Sequence, residues 1–144
     1  MHPDMQAIRC SIVRGGTSKA VFFLDGDLPR EQKLRDKVIQ SAFGGVDVRQ
    51  IDGLGGADTL TSKVAIIGPS TREDCDVDYT FGQVSFQAEL VDYKGNCGNI
   101  SSAVGPFAID AGLVKAVEPV TTVRIHLTNT DNVILAEVPV KDGK

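Results

Sequence analysis

Three glycine-rich loops carry the residues of this sequence that could do chemistry, and the most specific of them is Gly95-Asn-Cys-Gly-Asn99. The apolar segment that follows predicts a helix, so Cys97 is expected just before a helix N-terminus. Free N–H groups and the helix dipole stabilise a thiolate there, and the amides of Gly98, Asn99 and Ile100 could hold a carboxylate. A buried, unreactive cysteine is an equally good interpretation of Cys97 at this level.

A second loop, Gly53-Leu-Gly-Gly56, is followed by Lys63 at the head of an apolar strand. This placement predicts an ammonium that is partly removed from water. Burial lowers the pKa of a lysine in general and can make it a base near neutral pH. An exposed lysine at a strand end is the commoner alternative. The loop is not a dinucleotide-binding fingerprint, because it lacks the strand–loop–helix context and its third glycine is misplaced.

The remaining loop, Arg14-Gly-Gly-Thr-Ser-Lys19, combines two glycines with the hydroxyls of Thr17 and Ser18. It lacks the spacing of a P-loop. Paired glycines followed by two hydroxyls can still direct several N–H groups at one anion, such as a carboxylate. A polar hairpin turn is the alternative interpretation.

The segments between these loops predict the elements of an α+β domain. Helices are expected at residues 30–43 and 99–111; the second is apolar on nearly every side, so it is expected to be buried all round, with a kink or restart at Pro106. Strands are expected at residues 6–13, 20–24, 62–68, 76–81, 83–92, 121–127 and 132–138. Many short strands and one apolar helix suggest a curled sheet wrapped around a central helix.

Composition excludes several classes of protein. The 144 residues fit one domain, and 42% hydrophobic with 24% charged residues is ordinary for a globular chain. The net charge of −4, without any basic cluster, argues against nucleic-acid binding. The apolar runs are too short to span a membrane and the first residues do not resemble a secretory leader, so a cytoplasmic protein is expected.

The cysteines and histidines do not suggest a metal site or disulfides. The three cysteines are widely spaced, and the two histidines, His2 and His126, lie at opposite ends of the chain. No cluster has the spacing of metal ligands, so no metal is expected. Cys10 and Cys75 are interpreted as structural free thiols.

Together the three loops resemble the PrpF family, which contains aconitate and methylaconitate isomerases, methylitaconate isomerases and oxalomesaconate tautomerases. The resemblance covers nearly the whole chain and departs from the family pattern at Thr59, where proline is expected. The matching segments are Arg14-Gly-Gly-Thr-Ser-Lys19, Gln50-Ile-Asp-Gly-Leu-Gly-Gly-Ala-Asp58 with Leu60-Thr-Ser-Lys63, and Gly95-Asn-Cys-Gly-Asn-Ile-Ser-Ser-Ala-Val-Gly-Pro-Phe-Ala-Ile109.

This resemblance implies a diaminopimelate-epimerase-like fold, in which two similar domains each wrap a mostly antiparallel sheet around a central helix. The active site of such proteins lies in the cleft between the domains. Residues 1–144 suffice for one domain only, so they are expected to be a single N-terminal domain of a two-domain protein. A missing C-terminal domain or a second copy would then cover an exposed face.

The implied reaction is a cofactor-independent 1,3-proton shift or cis/trans isomerisation of an unsaturated di- or tricarboxylate, such as aconitate or 2-methylaconitate. The resemblance implies Lys63 and Cys97 as catalytic residues. Because proton abstraction requires hydrogen-bond reach, directly or through one water, we expect the two to face one cleft, with their reactive atoms up to about 10 Å apart. The implied substrate-binding residues are Thr17, Ser18, Gly56, Asn96, Gly98 and Asn99. A domain that binds carboxylates without converting them, or a half-enzyme, is the alternative.

Overall fold

One mixed sheet of seven strands forms the frame of the computed structural model, which describes residues 2–144. The strands are β1 (Ser11–Gly15), β2 (Ser18–Leu24), β3 (Lys63–Pro69), β4 (Val77–Val84), β5 (Val91–Asp92), β6 (Val120–Leu127) and β7 (Asn132–Pro139). Two helices, α1 (Gln32–Phe43) and α2 (Gly98–Asp110), pack on it. The strand order is β1-β2-β3-β4-β6-β7, with β5 beside β4. Only the β2–β3 and β4–β6 pairs are parallel, so the expected mostly antiparallel sheet is confirmed.

Strands β2 and β3 are buried on both faces and separate two hydrophobic layers. On the inner face, Ala20 and Ala65 belong to the cluster that surrounds α2. On the outer face, Val21 and Val64 pack with residues of α1. Strands covered on both sides are apolar throughout instead of alternating. The curled sheet with a helix in its hollow, expected from the sequence, is therefore present.

Helix α1 begins and ends at recognisable capping residues. The Glu31 carboxylate accepts hydrogen bonds from the amides of Lys33 and Leu34, at 3.1 and 3.0 Å, so the helix starts two residues later than predicted. At the other end Gly44 has φ +107°, the left-handed conformation that terminates many helices.

Helix α2 is continuous through Pro106 and is not buried all round, so the expected restart and the expected all-round burial are wrong, and a kink at Pro106 stays a prediction. Ser102 and Pro106 are exposed on one side of the helix. The sheet is a half-barrel whose edge strands, β1 and β7, are not hydrogen-bonded to each other within residues 2–144. A groove of about 620 Å³ lies between β1 and this side of α2, and another of about 490 Å³ lies between α2 and β7.

Strand β4 is longer than the sequence suggests. Residues 76–81 and 83–92 do not form two separate strands of those lengths. Strand β4 continues through Gly82 to Val84, and in the rest of residues 83–92 only the two-residue β5 is regular. A side chain at position 82 would overlap those of Val64 and Val91. Glycine therefore permits close packing at this position, whereas in the sequence it resembles a strand break.

The strands predicted near the two ends of the chain differ in how well they match the structure. Residues 6–10 lie outside β1, because the pairing of β1 with β2 begins only at Ser11. The predicted strand at 6–13 is therefore wrong over most of its length. The strands predicted at 121–127 and 132–138 are confirmed to within one residue, as β6 and β7.

The side chain of Asn129 completes one edge of β4. Strand β6 pairs with residues 77–79 and β5 with residues 83–84, which leaves Phe81 between them. The Asn129 amide oxygen accepts from the Phe81 N–H at 2.8 Å, and its nitrogen donates to the carbonyls of Phe81 and Tyr93 at 2.7 and 2.6 Å. One side chain thus makes the backbone hydrogen bonds that a neighbouring strand would make, and it fixes the backbone of Phe81.

His126 lies between two carboxylates near the far end of β6. Its Nδ1 is 2.8 Å from Asp78 and its Nε2 is 2.9 Å from Asp131. The hydrogen bond with Asp78 outweighs burial and raises the pKa of His126 above 6.5, with Asp131 adding to the effect. Burial alone would raise the pKa of Asp78, but hydrogen bonds from His126, Thr71 and Ser70 together lower it.

We expect His126 to make the stability of the fold depend on pH. Because folding raises the pKa of this group, its contribution is complete below about 6.5 and is lost as the pH rises through the folded value. Urea unfolding should show a free energy of unfolding that declines above about pH 6.5. In His126→Gln this part of the decline should be missing, whereas the exposed His2→Gln control should behave like the unmodified chain. An equal decline in His126→Gln would contradict the assignment.

Candidate active site

The candidate site forms where the turn between β1 and β2 meets the N-terminus of α2. A side chain at Gly15 would overlap the backbone carbonyl of Asn99, and one at Gly16, which has φ +51°, would overlap the Asn99 side chain. Two glycines are therefore needed for the turn to approach the helix so closely. At the contact, the Asn99 amide donates to Thr17 Oγ1 at 3.1 Å.

Cys97 caps α2 and directs its thiol toward β2. The thiol Sγ is 3.8 Å from the hydroxyl of Ser18, which is buried, whereas Cys97 is partly exposed. Its position at the helix N-terminus agrees with the sequence prediction. The first amides of a helix have no partner within the helix. The amides of Gly98 and Asn99 therefore stand beside the thiol as donors for an anion.

The segment before α2 is held by Ser101. Its single hydroxyl proton is shared between the carbonyl of Cys97, at 2.9 Å, and the side-chain oxygen of Asn96, at 3.2 Å. Beneath them, the Tyr79 hydroxyl is buried and has no hydrogen-bond partner within residues 2–144. Burial raises the pKa of Tyr79, a rise that the nearby Ser101 hydroxyl opposes and Cys97 reinforces. Tyr79 therefore adds no charge to the site.

Lys63 is buried on the same face of the sheet as α2. Only 8% of it is exposed, which overturns the alternative of an exposed lysine at a strand end. Its Nζ donates to Oε1 of Gln83 at 2.8 Å and lies 5.3 Å from the centroid of the Phe81 ring. A cation over an aromatic face is attracted by the ring quadrupole. The ammonium is thus held from two directions.

Phe81 links the lysine to the cysteine loop. The Lys63 ammonium lies over its ring, and a Cβ placed on Gly95 would be 4.0 Å from a carbon atom of the same ring. Phe81 and Cys97 also belong to the cluster around α2. The structure therefore places Lys63 and Cys97 on one face of the sheet, and their catalytic roles stay predictions.

Gly56 is connected to the site less directly. Its amide already donates to the carbonyl of Thr61, at 3.3 Å. The loop around it is anchored by buried Gln50, which donates to Ser62 at 2.8 Å and accepts from the Ala57 amide at 2.9 Å. A substrate-binding role for Gly56 stays a prediction, and its amide would have to leave Thr61 to fulfil it.

Three residues of the site were not predicted, namely Gln83, Ser101 and Asn129. Gln83 follows Val77, Tyr79 and Phe81 at intervals of two on the inner face of β4. A polar residue that ends an inward apolar series is a signal readable in the sequence. The hydrogen bonds of Ser101 and Asn129 depend on the tertiary fold and have no comparable signal.

Residues 2–144 contain neither a grouped set of metal ligands nor a membrane-spanning helix. Among the residues that the structure describes, no three His, Cys, Asp or Glu side chains are grouped to hold a metal ion. No helix in that part of the chain is both long and apolar enough to cross a membrane.

Comparison with known proteins identifies relatives over nearly the whole chain. The model of the PrpF protein family matches residues 5–144. The chain is 64% identical over 141 residues to 3-methylitaconate isomerase of Eubacterium barkeri, covering 98% of this chain and 37% of the relative. It is 54% identical over 137 residues to 4-oxalomesaconate tautomerase of Pseudomonas putida, covering 95% of this chain and 38% of that relative. It is 46% identical over 153 residues to 2-methyl-aconitate isomerase of Cupriavidus necator, covering 99% of this chain and 39% of that relative.

Solved structures agree with this relationship. A crystal structure of methylitaconate-delta-isomerase superimposes with a TM-score of 0.93 at 66% identity, over 95% of this chain and 35% of that one. A probable proline racemase from Agrobacterium radiobacter shares the fold, with a TM-score of 0.59 at 17% identity over 96% of this chain and 38% of that one. The chain therefore spans well under half the length of these relatives.

Proposed function

Because the chain belongs to the PrpF protein family, we propose that it forms one wall of an active site that isomerises unsaturated di- or tricarboxylates without a cofactor. The observation that carries the proposal is the meeting of Ser18, Cys97 and the N-terminus of α2 on the sheet face that also buries Lys63. The names of the relatives support the substrate class, since methylitaconate, oxalomesaconate and methylaconitate are all unsaturated carboxylates.

The proposed reaction is a proton shift across three carbons. The neutral amine of Lys63 takes a proton from the allylic carbon, and the C–H electron pair forms a new double bond. The electrons of the former double bond move into the conjugated carboxylate, which gives a dienolate. The Lys63 ammonium or the Cys97 thiol then returns a proton two carbons away, so that the double bond has moved and no atom is gained or lost. Rotation in the intermediate before reprotonation would exchange cis and trans isomers.

The charge of the dienolate needs donors that are already in place. The amides of Gly98 and Asn99 and the hydroxyls of Thr17 and Ser18 are proposed to hold the substrate carboxylates. Preorganised dipoles of this kind stabilise developing negative charge without reorganising during the reaction. Asn96 lies at the rim of the same cluster, where its side chain is oriented by Ser101.

The open side of α2 is proposed to be covered by the rest of a longer protein. Ser102 and Pro106 are exposed there. The apolar side chains of Ile12, on edge strand β1, and Leu135, on edge strand β7, are exposed as well. The relatives are more than twice as long as this chain, which favours a second domain over a second copy. A cytoplasmic location belongs to the same proposal, in keeping with the names of the relatives as enzymes of small acids.

The proposal is tested by following isomerisation of methylitaconate, aconitate and methylaconitate in D₂O by proton NMR. The complete protein encoded by the gene and the 144-residue chain should be assayed side by side. We expect turnover and deuterium uptake at the allylic carbon by the complete protein. Carboxylate binding by both without turnover by either would favour the binding-domain alternative, and activity restricted to the complete protein would identify the chain as a half-site.

Cys97→Ser is expected to slow the reaction without abolishing it. The substitution keeps a hydroxyl near Ser18 but removes a group that is far more acidic than an alcohol, and losing a partner acid or base costs about 10²-fold or more. Cys10→Ser, which removes an exposed thiol outside the cluster, is the matched control. A Cys97→Ser protein that turns over at the unmodified rate would exclude Cys97 from proton transfer.

A further inference from the structure

Within residues 2–144, Gln83 is the only residue whose side chain accepts from Lys63 and also donates to the second glycine-rich loop, taken as residues 50–59. It stands directly opposite Lys63 in the β3–β4 register. Its Oε1 accepts from Lys63 Nζ at 2.8 Å, and its Nε2 donates to the carbonyls of Thr59 and Ser62 at 3.1 and 3.0 Å. One amide thus bonds to the ammonium, to the loop and to the residue preceding β3.

These bonds fix which way the amide faces. A glutamine amide has two N–H donors and one acceptor oxygen. Because both donors are taken by carbonyls, the oxygen must face Lys63. Neither a carboxylate nor an apolar side chain can make the same set of contacts, since a carboxylate has no donor and an apolar group has neither donor nor acceptor.

A neutral acceptor suits a lysine that must gain and lose a proton. An amide oxygen accepts from an ammonium and, more weakly, from a neutral amine, so the Nζ–Oε1 bond can persist through both halves of the proton shift. A carboxylate in its place would favour the ammonium and oppose its deprotonation. The Phe81 ring, on a residue whose backbone is bonded to Asn129, lies beside the same nitrogen in a second direction.

We propose that Gln83 is a positioning residue for Lys63, holding its nitrogen toward the cysteine loop in both protonation states and coupling it to the glycine-rich loop through Thr59. The inference rests on the proposed function, because it assigns Lys63 the role of the base. Gln83 does not need to touch the substrate in this role.

The test compares Gln83→Leu and Gln83→Glu in the complete protein encoded by the gene, with Gln87→Leu and Gln87→Glu, on an exposed loop, as matched controls. Gln83→Leu is expected to lower kcat by about 10- to 100-fold with KM changed less than about threefold, because small displacements of a catalytic group cost this much. Gln83→Glu is expected to move the acidic limb of the pH–rate profile upward by about one pH unit. The Gln87 variants should match the unmodified protein.

Two further measurements distinguish a variant that does not fold from one that folds with Lys63 out of place. Thermal unfolding identifies a variant that does not fold, and the ¹³Cε resonance of Lys63 followed against pH reports its protonation without any turnover. An upward shift of this titration in Gln83→Glu supports the inference even where Gln83→Leu does not fold. A folded Gln83→Leu protein with unchanged kcat, or a Lys63 titration unmoved in Gln83→Glu, would overturn it. Absence of isomerase activity in the unmodified protein would instead overturn the proposed function.

Discussion

Replacing Lys63 by alanine is expected to abolish proton exchange at the allylic carbon, with kcat/KM reduced by about 10³-fold or more. General-base catalysis contributes about 10²- to 10⁴-fold, which sets the scale of the expected loss. Gln83 cannot replace it, because an amide is not a base near neutral pH. Deuterium uptake from D₂O, measured by NMR in the complete protein, reports the exchange step directly, even where net isomerisation is slow.

Lys37→Ala is the matched control, because it removes an exposed lysine from α1, on the opposite face of the sheet. It is expected to leave both exchange and turnover unchanged. Removing Lys63 also leaves the Gln83 oxygen without its partner, so urea unfolding should accompany the assay. A folded Lys63→Ala protein that exchanges at the unmodified rate would place the base elsewhere.

Gly15→Ala is expected to have the second large effect, on both stability and activity. The added methyl group would overlap the Asn99 carbonyl at the start of α2, and backbone atoms on both sides leave little room to yield. Overpacking of this kind typically costs about 1–3 kcal/mol. The turn must withdraw from the helix, which separates Thr17 from Asn99 and Ser18 from Cys97. A lower free energy of unfolding together with weaker carboxylate binding is the expected result.

Gly26→Ala provides the control for this change, because a Cβ at Gly26 would have no atom within 4 Å. It should change the free energy of unfolding by only a few tenths of a kcal/mol, as is usual away from packed positions. Equal stability of the Gly15→Ala and Gly26→Ala proteins would contradict the close approach of turn and helix.

The sequence was most informative where local signals and packing agree. The apolar period of α2 and the glycines before it were enough to place Cys97 at a helix N-terminus, because both signals act over a few residues. The apolar strand that begins at Lys63 suggested its burial but left an exposed strand end as the alternative, because burial is decided by the strands on either side of β3. The open side of α2 could not be predicted from its composition, because Ser102 and Pro106 are exposed only where β1 and β7 fail to meet.

Gln83 shows how one wrong boundary hides a functional residue. A strand break assigned at Gly82 places Gln83 in a separate strand and interrupts the inward series of Tyr79 and Phe81. With β4 continuous, the same alternation brings Gln83 to the inner face opposite Lys63. The alternation of buried residues in β4 already indicated that Gln83 faces inward. The need for glycine at position 82 comes from tertiary packing, because a side chain there would overlap those of Val64 and Val91.

The contacts at the start of α2 join parts of the chain that are far apart in sequence. Ser18 and Cys97 are separated by 79 positions, and Thr17 and Asn99 by 82. Long loops must therefore close before either contact forms, and such non-local pairing slows folding. During synthesis the chain presents Ser18 and Lys63 well before Cys97 exists, so the proposed carboxylate-binding arrangement arises only once β2 and α2 have docked. A carboxylate bound as proposed would bind the folded state alone, and its binding would raise the free energy of unfolding of the whole domain by mass action.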